Sequence, residues 1–435
     1  MKFLIIFTLF IFDSKVIFAE ELLTYLENAY NNNPALQAER QNYKAIKENI
    51  NISKSEFLPS VSIVGTQNSQ ENSNRTNRAG VTQADSSNTS ETQSVLIDQK
   101  IFQGFQGYNS IKKSQLESEQ AAIKLKNIEQ QILSKSAIVY YNLIFKIKNK
   151  KFNLANVDLF ERQVETDTSR LQKGEITLTD LAQSESSLAG ANAKSIAADS
   201  ELLVAKSNFE RIIRLSPPNE EVQDKFIETI TFNFSSGLNS LLVISEKYNP
   251  KLLLAKLDYK ISEKNVNIEK SKFSPSASVN YTKSQSKDFS STIDDIDQET
   301  LKATVTIPLF KGGENYSSLK KSQFKKKQTS LILQDTINEV KTDAINAWSS
   351  YQSSKSVLRS TQAQVKAAEI ANEGITLEYD SGNTRTTLEV IQSRSLLLNA
   401  RISNAKAERD FAISKFELLA VIGELTLENL KKPKY

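Results

Sequence analysis

The chain carries few of the side chains that perform catalysis. It contains no histidine and no cysteine, which excludes Ser-His-Asp and Cys-His triads, imidazole bases, thiolate nucleophiles and metal sites built on those ligands. Carboxylates could still serve acid–base chemistry, but no pair of acids lies in a Gly-rich or cleft-like stretch of sequence. We therefore expect no enzymatic activity, no cofactor and no metal site.

The charged residues are nearly balanced and spread along the chain. Lys and Arg total 55 against 51 Asp and Glu, for a formal net charge of +4. This even distribution of charge argues against nucleic-acid binding. One dense group of lysines is the exception. We favour a solvated helix face for it, and the alternative is contact with anionic phospholipid head groups. Its members are Lys320, Lys321, Lys325, Lys326 and Lys327.

The amino terminus has the pattern of a secretory signal peptide, residues 1–19. Lys2 precedes the apolar run Phe3 to Phe12, and Ala19 is followed by two acids, which suits cleavage after Ala19. A run of this length is too short to cross a bilayer as a helix. Since no later segment approaches about 18 consecutive apolar residues, an integral membrane role would have to use β-strands.

The rest of the chain consists mainly of two sequence repeats of one unit. We predict a first repeat at 20–216, an inter-repeat linker at 217–236, a second repeat at 237–424 and a C-terminal tail at 425–435. The matching landmarks are Asn33-Pro34 with Asn249-Pro250, Phe57-Leu-Pro-Ser60 with Phe273-Ser-Pro-Ser276, Phe102-Gln-Gly104 with Phe310-Lys-Gly312, and Tyr108 plus Lys112-Lys-Ser-Gln115 with Tyr316 plus Lys320-Lys-Ser-Gln323.

Each repeat is predicted to run helix, strand, strand, long helix, helix. The first helix is expected at about Glu21 to Glu56 and the long helices at Gly107 to Arg170 and Asn315 to Tyr379, which contain no proline. Apolar residues recur every seven positions in the second long helix, among them Ala344, Tyr351 and Leu358, with polar interruptions. Such a thin seam suits a water-filled ring of helices better than an isolated coiled-coil dimer.

The strands of the second repeat alternate apolar and polar residues. Ala277, Val279 and Tyr281 form one apolar face, as do Leu301, Ala303, Val305, Ile307 and Leu309 in the next strand, and polar loops are expected at 67–90 and 284–298. A soluble sheet on a core would show the same pattern. The signal peptide, the lack of other apolar sequence to form that core, and strand lengths near ten residues favour a barrel wall in a membrane. Because four strands cannot close a barrel and open edges are not tolerated in lipid, several chains must combine.

The ordered series of motifs resembles the TolC family of outer membrane factors over residues 21 to 430. It consists of the duplicated Asn-Pro, the Phe-x-Pro-Ser entry to a strand, the Phe-x-Gly exit into a long helix, and the segment from Tyr379 to Val390. The resemblance implies a mainly α fold with a transmembrane β-barrel contribution. Three chains would form a barrel of about twelve strands in the outer membrane and a periplasmic barrel of about twelve helices.

The resemblance also implies a gate at the helical tip. It would place Tyr379 and Arg385 opposite Thr179 and Asp180, although a surface ion pair of little consequence is the alternative. Glu389 matches an acidic position at the narrowest ring, and Gln392 stands where relatives often have a second acid. One extra residue between Gly382 and Arg385 departs from the family pattern and leaves the register there open.

The resemblance implies that the chain forms a homotrimer in the outer membrane that extends into the periplasm. Its expected function is passive export of substrates through this channel. Substrates would come from an inner-membrane ABC or RND-type transporter through a periplasmic adaptor, also called a membrane fusion protein. Small toxic molecules, as in multidrug efflux, and polypeptides, as in type I secretion, both remain possible cargo. The alternatives are a secreted coiled-coil structural or adhesive protein, which leaves the duplicated strands without a use, and a carboxylate-dependent periplasmic hydrolase.

Overall fold

The computed structural model describes residues 15–218, 237–290, 293–381 and 385–431, with side chains from Leu22 onward. Residues 1–14 of the predicted signal peptide, 219–236 of the predicted linker, and Gly382 with its two successors lie outside the described residues. The chain divides into two compact units. One contains the described parts of 1–40, 124–253 and 336–435, and the other contains 41–123 and 254–335. Each unit thus draws segments from both halves of the sequence.

Nine helices account for most of the described residues. Two of them, with 67 residues each, run for roughly 100 Å at ~1.5 Å per residue and confirm the predicted long helices. No helix within the described ranges has both the length and the apolarity to cross a membrane. The helices are α1 Lys15–Asn32, α2 Pro34–Ser55, α3 Gln106–Gln172, α4 Leu178–Ile213, α5 Gly237–Tyr248, α6 Pro250–Ser271, α7 Glu314–Asp380, α8 Thr387–Val421 and α9 Leu427–Lys431.

The predicted single helix from Glu21 to Glu56 is wrong, because the chain breaks it at Asn33. Pro34 lacks an amide hydrogen and therefore begins a new helix, α2, instead of continuing the old one. The side chain of Asn33 accepts a backbone N–H from the first turn of α2 and donates to Ile212 O over 3.3 Å. Asn249 does the same in the second repeat, where its amide donates to Val421 O over 2.7 Å. Each asparagine thus ties the start of one helix to the end of the last long helix in its own repeat.

The core of the first unit joins helices from both repeats. Tyr141 and Phe416 lie 6.1 Å apart between ring centroids, which links α3 to α8, and Tyr140 packs beside Tyr141 at 5.3 Å. The tail predicted at 425–435 also reaches this core, since Leu425 and Leu430 are buried there. The largest fully buried side chains include Leu22, Leu26, Leu133, Leu143, Phe209, Ile213 and Leu418.

The second unit contains a four-stranded antiparallel sheet in the order β1-β4-β5-β6. Because β4 pairs with β5, the strand pair of the first repeat and that of the second form one continuous sheet. A short hairpin of β2 and β3 caps the connection between β1 and β4. The strands are β1 Ser60–Asn72, β2 Arg75–Thr76, β3 Thr82–Gln83, β4 Ser86–Gln103, β5 Ser276–Ser290 and β6 Ile293–Thr306.

The register of the sheet confirms the predicted alternation. Val61 lies opposite Ile97, Ile97 opposite Tyr281, and Tyr281 opposite Leu301, so one apolar row crosses all four strands. Directly paired residues share a face of the sheet. The neighbouring row contains Ser60, Asp98, Asn280 and Lys302 and points to the other face. The apolar face is open in one protomer, where Leu301 is 74% exposed.

The predicted polar loops at 67–90 and 284–298 are mostly wrong. In the first predicted loop, β1 continues to Asn72 and β4 begins at Ser86. In the second, β5 continues to Ser290 and β6 begins at Ile293. Polar side chains at these positions indicated exposure to water, but the backbones still pair across the ladder. The predicted strand through Ile307 and Leu309 ends instead at Thr306, because Pro308 cannot donate to a ladder.

Candidate functional site

The two helices that follow the long helices begin in the same way. A threonine caps each of them, Thr177 at the start of α4 and Thr386 at the start of α8. Thr177 Oγ1 accepts from the Asp180 amide at 3.3 Å, while Asp180 accepts from the Thr177 amide at 2.9 Å. Thr386 and Glu389 repeat this reciprocal pair at 3.3 and 2.8 Å. A Thr followed three residues later by an acid is the capping box, and α4 and α8 share it.

The predicted gate residues at the start of α4 belong to this cap. The Thr177 hydroxyl, followed by its amide, holds the pKa of Asp180 below its usual value. Thr179 lies between them in the first turn of α4 and is exposed. The Asp180 carboxylate is thus bound by its own helix start, and its predicted pairing with Arg385 stays a prediction.

Arg385 links the end of α7 to the start of α8. Its Nε lies 2.6 Å from Glu378 Oε2, and its Nη1 lies 3.0 Å from Glu389 Oε1. Both carboxylates raise the pKa of Arg385. The Thr386 amide, followed by Arg385, lowers the pKa of Glu389. All three side chains are more than a third exposed, so water screens both pairs and each contributes little to stability. Gln392 follows on α8 and is exposed.

Tyr379, the remaining predicted gate residue, reaches a carboxylate that the sequence analysis did not assign to the gate. Its hydroxyl donates to Asp167 Oδ1 over 2.7 Å. Ser184 donates to the other oxygen of Asp167 over 2.5 Å, and Gln163 donates to Oδ1 over 3.0 Å. Thr387 Oγ1 lies 3.1 Å from the Tyr379 hydroxyl, whose own proton is directed to Asp167. We call these five residues the Asp167 cluster.

The Asp167 cluster joins four helices in the interior of the first unit. Gln163 and Asp167 lie on α3, Ser184 on α4, Tyr379 on α7 and Thr387 on α8. Asp167 and Ser184 are fully buried, and burial raises the pKa of Tyr379. Because a buried carboxylate is costly unless its oxygens are hydrogen-bonded, the cluster holds its members in one arrangement.

Two further contacts border the Asp167 cluster. The guanidinium of Arg170 lies over the Tyr379 ring, 4.5 Å from its centroid, which places a positive charge one helical turn beyond Asp167. On the other side, Arg394 of α8 donates to Leu159 O of α3 over 3.1 Å, and burial lowers the pKa of Arg394. These contacts hold α3 against α7 and α8 on either side of the cluster.

Asp167, Ser184 and Gln163 were missed as site residues for an identifiable reason. On the first long helix Asp167 lies seven residues after the apolar Phe160 and three residues after Val164, on the side of the helix that carries its recurring apolar residues. An acid at such a position is a local conflict in the sequence, and its physical resolution is a buried partner. Ser184 carries no comparable signal, since serine is common on exposed helix faces.

Comparison with known proteins identifies the chain. The family model described as "Outer membrane efflux protein" matches residues 25–213 and 241–424. The outer membrane efflux protein BepC of Brucella suis is 24% identical over 413 residues, covering 95% of this chain and 87% of that protein. The outer membrane protein TolC of Escherichia coli is 22% identical over 430 residues, covering 95% and 84%. The Campylobacter jejuni CmeC outer membrane channel has a TM-score of 0.81 at 15% identity, covering 93% of this chain and 85% of that one.

The two matched ranges fall on the two repeats, and the shared fold has the long helices and the four-stranded sheet described above. Proteins of this family are transport proteins rather than enzymes, and membership implies a trimeric channel. The chain therefore belongs to the outer membrane efflux protein family and is a TolC-type efflux channel of the outer membrane that extends into the periplasm.

Proposed function

We propose that three copies of this chain form a passive duct, closed at rest by the helix ends around the Asp167 cluster. Substrates enter from an inner-membrane ABC or RND-type transporter through a periplasmic adaptor, and the partner supplies the energy. No dedicated substrate site is needed, because a wide wet lumen selects by size and charge. The sheet supports this proposal. Its edge strands β1 and β6 have 13 and 14 residues, and three sheets of four strands supply about twelve strands for one closed wall.

The observation that carries the proposed gate is the bond between Tyr379 and Asp167. It connects the long helix of the second repeat to that of the first, and Ser184 and Thr387 add the two following helices. Opening the tip by moving α7 and α8 away from α3 and α4 would separate these groups and leave a buried carboxylate with fewer donors. A docking partner must compensate for that loss, which makes the cluster suitable as a latch.

The proposed constriction is a ring of Glu389 side chains, one from each chain. Because the Thr386 amide and Arg385 hold the pKa of Glu389 below its usual value, the ring carries negative charge near neutral pH. Arg385 lies 3.0 Å away and offsets part of that charge. Gln392 replaces the second acid that relatives often have, so the ring has three carboxylates where six would be present. We expect cation preference, but a weak one.

The proposed docking site for the adaptor consists of residues 173–177 together with Ser381, Arg385 and Thr386. The chain has no cysteine, so a single Ser381→Cys substitution introduces one thiol at an exposed position just beyond α7. A thiol-reactive photo-crosslinker can be attached to it. Ser69→Cys, on the exposed strand β1, is the matched control. Crosslinking in intact cells, followed by mass spectrometry, should capture an adaptor from position 381 and not from position 69. Capture of other copies of the chain alone from position 381 would contradict this docking site, and the captured adaptor would identify the transporter class.

A further inference from the structure

The motif repeated most closely within the chain plays no part in the proposed gate. Tyr108 with Lys112-Lys-Ser-Gln115 recurs as Tyr316 with Lys320-Lys-Ser-Gln323, at identical spacing. Both copies follow the same end of the sheet. Gln103, at the end of β4, pairs with Ser276, and Ser276 pairs with Thr306, at the end of β6. The helices α3 and α7 then begin at Gln106 and Glu314.

Exposed aromatic side chains lie between the strand ends and the lysines. Phe105 is 67% exposed and Tyr108 is 54% exposed, and in the second repeat Phe310 and Tyr316 are 86% and 66% exposed. Aromatic rings in this position form the girdle at the water interface of a membrane barrel. Both repeats of the chain therefore have such a girdle at the same end of the sheet.

The girdle continues the apolar face of the sheet. Phe102 pairs with Ala277, and Ala277 pairs with Val305, so these three side chains share that face. The Phe102 ring meets the Phe105 ring edge to face, with centroids 5.5 Å apart. Phe102, Phe105 and Tyr108 also line a common cavity. The path from the apolar face to Tyr108 is thus unbroken.

The lysines lie one helical turn further from the sheet. Lys112 Nζ is 5.8 Å from the centroid of the Tyr108 ring, which places it on the same side as the girdle. Lys112 and Lys320 are each six residues beyond the first residue of their helix, a rise of about 9 Å in both repeats. Within the described part of the chain, Lys112, Lys320 and Lys321 have no carboxylate partner. By contrast, Lys113 pairs with Glu117 and Lys326 with Glu263.

We propose that Lys112, Lys320 and Lys321, beneath Tyr108 and Tyr316, bind the phosphate groups of anionic glycerophospholipids in the periplasmic leaflet of the outer membrane. The inference rests on the proposed placement of the sheet in that membrane. An ammonium group just outside an aromatic girdle lies at head-group depth, where negative charge attracts it. A ring of three chains presents the pair of motifs three times and forms a basic collar around the channel.

A second copy of the chain is a poorer occupant for these lysines. The symmetry axis of a membrane ring runs along the membrane normal, so equivalent residues of neighbouring copies lie at the same height. Lysines would therefore meet the lysines of the next copy, at the level where both repeats carry them. Lipid phosphate, by contrast, offers the opposite charge to all of these lysines at once.

Lys325 and Lys327 provide an internal control. They lie 11 and 13 residues beyond Glu314, about 17 and 20 Å along α7, which is too far from the girdle for head-group contact. Both are exposed. A solvated helix face, the interpretation favoured for the whole lysine group on sequence grounds, applies to these two and not to Lys320 and Lys321.

The test uses the purified full-length trimer in nanodiscs of mixed phosphatidylglycerol and phosphatidylcholine, with native mass spectrometry of the retained lipids. The wild-type trimer should retain phosphatidylglycerol several-fold over phosphatidylcholine. Lys112→Gln/Lys320→Gln/Lys321→Gln should reduce the ratio to about one, and the corresponding arginine variant should keep it. Lys325→Gln/Lys327→Gln/Lys366→Gln removes the same charge from other exposed positions and should leave the ratio unchanged.

An unchanged ratio in the first glutamine variant, or an equal loss in the control variant, overturns the lipid site. Should that variant fail to assemble, Lys320→Gln alone is expected to lower the ratio partway, and no reduction overturns the inference equally. Planar-bilayer conductance of the same wild-type trimer separates the two proposals. A conducting trimer without lipid preference contradicts the collar alone, whereas a trimer that does not conduct even with Tyr379→Phe, which should weaken the resting closure, contradicts the proposed duct.

Discussion

The hydroxyl of Tyr379 donates to the buried carboxylate of Asp167 over 2.7 Å, so a single hydrogen bond connects the two 67-residue helices of the chain near their ends. Because Asp167 is fully buried and also accepts from Ser184 and Gln163, this bond belongs to an arrangement that must change as a whole.

Tyr379→Phe should weaken the resting closure. It removes one donor from a buried carboxylate, a loss of about 1–3 kcal/mol, while the ring and its contact with Arg170 remain. Single-channel recordings of the trimer should show a larger resting conductance or more frequent opening. Tyr316→Phe alters a 66%-exposed tyrosine and serves as the control. Identical conductance in wild type and Tyr379→Phe would remove the latch from the proposed gate.

The effects of Ser184→Ala and Asp167→Asn on hydrogen exchange should not be additive. Ser184 donates to Asp167 Oδ2, so removing its hydroxyl should increase amide hydrogen exchange at the start of α4 in the wild-type background. The increase should be smaller once Asp167 is Asn, since the charged acceptor is already gone. Ser187→Ala is a suitable control because Ser187 donates within its own helix, to Gln183 O. Additive effects of Ser184→Ala and Asp167→Asn would contradict a shared network.

Thr177→Ala and Thr386→Ala should each loosen the first turn of one helix. Loss of an N-cap hydroxyl typically costs about 1 kcal/mol, and the structural match between the two caps predicts similar effects on α4 and α8. Hydrogen exchange should rise in the peptides that begin at 177 and 386, respectively, while Thr→Ser variants retain protection. Protection unchanged at both sites would show that tertiary contacts, not the caps, hold these turns.

Acid should weaken both caps. The folded-state pKa values of Asp180 and Glu389 lie below their usual values. The stabilisation is therefore present above the unfolded-state pKa and is lost as the pH falls through the folded-state pKa. Exchange-corrected protection of the two helix starts should decline below about pH 4. Glu389→Gln should remove this pH dependence at α8 and leave it at α4, and any decline that persists at α8 in this variant must have another source.

Removing or adding charge at the constriction should change the ion selectivity of the channel in opposite directions. Glu389→Gln removes three carboxylates from the trimer and should reduce cation over anion permeability, measured as the reversal potential across a salt gradient. Gln392→Glu adds a second acid to each chain and should increase that permeability ratio. The charge changes at these two positions are opposite in sign. If neither variant moves the reversal potential, residues 389 and 392 do not line the narrowest part of the lumen.

Periodic features of the fold could be predicted from the sequence. The strand register places Val61, Ile97, Tyr281 and Leu301 in one row, as the apolar alternation indicated. Ala344, Tyr351 and Leu358 are buried on α7, as the seven-residue pattern indicated. The ends of elements were less predictable. The polar ends of the strands were predicted as loops from their composition. They form strands because backbone pairing does not depend on which side chains face water.

The candidate site was only partly predictable, because its central residues are far apart in sequence. Tyr379 and Asp167 are separated by 212 positions, and no local pattern indicates which buried acid will meet a tyrosine on another helix. The pair of Arg385 with Glu389 at the start of α8 was not predicted either, since the sequence placed Arg385 opposite Thr179 and Asp180. The gate assignments at Thr179, Asp180, Glu389 and Gln392 remain predictions.

The asparagine at each Asn-Pro junction has a mechanical consequence. Asn249 fastens Val421, at the C-terminal end of α8, whereas Thr387 of the Asp167 cluster lies at the opposite end of the same 35-residue helix. With one end pinned, α8 acts as a lever of roughly 50 Å, and a tilt of about 10° carries its free end through roughly 9 Å. A small rotation at a fixed pivot can therefore produce a wide aperture at the tip without unfolding any helix.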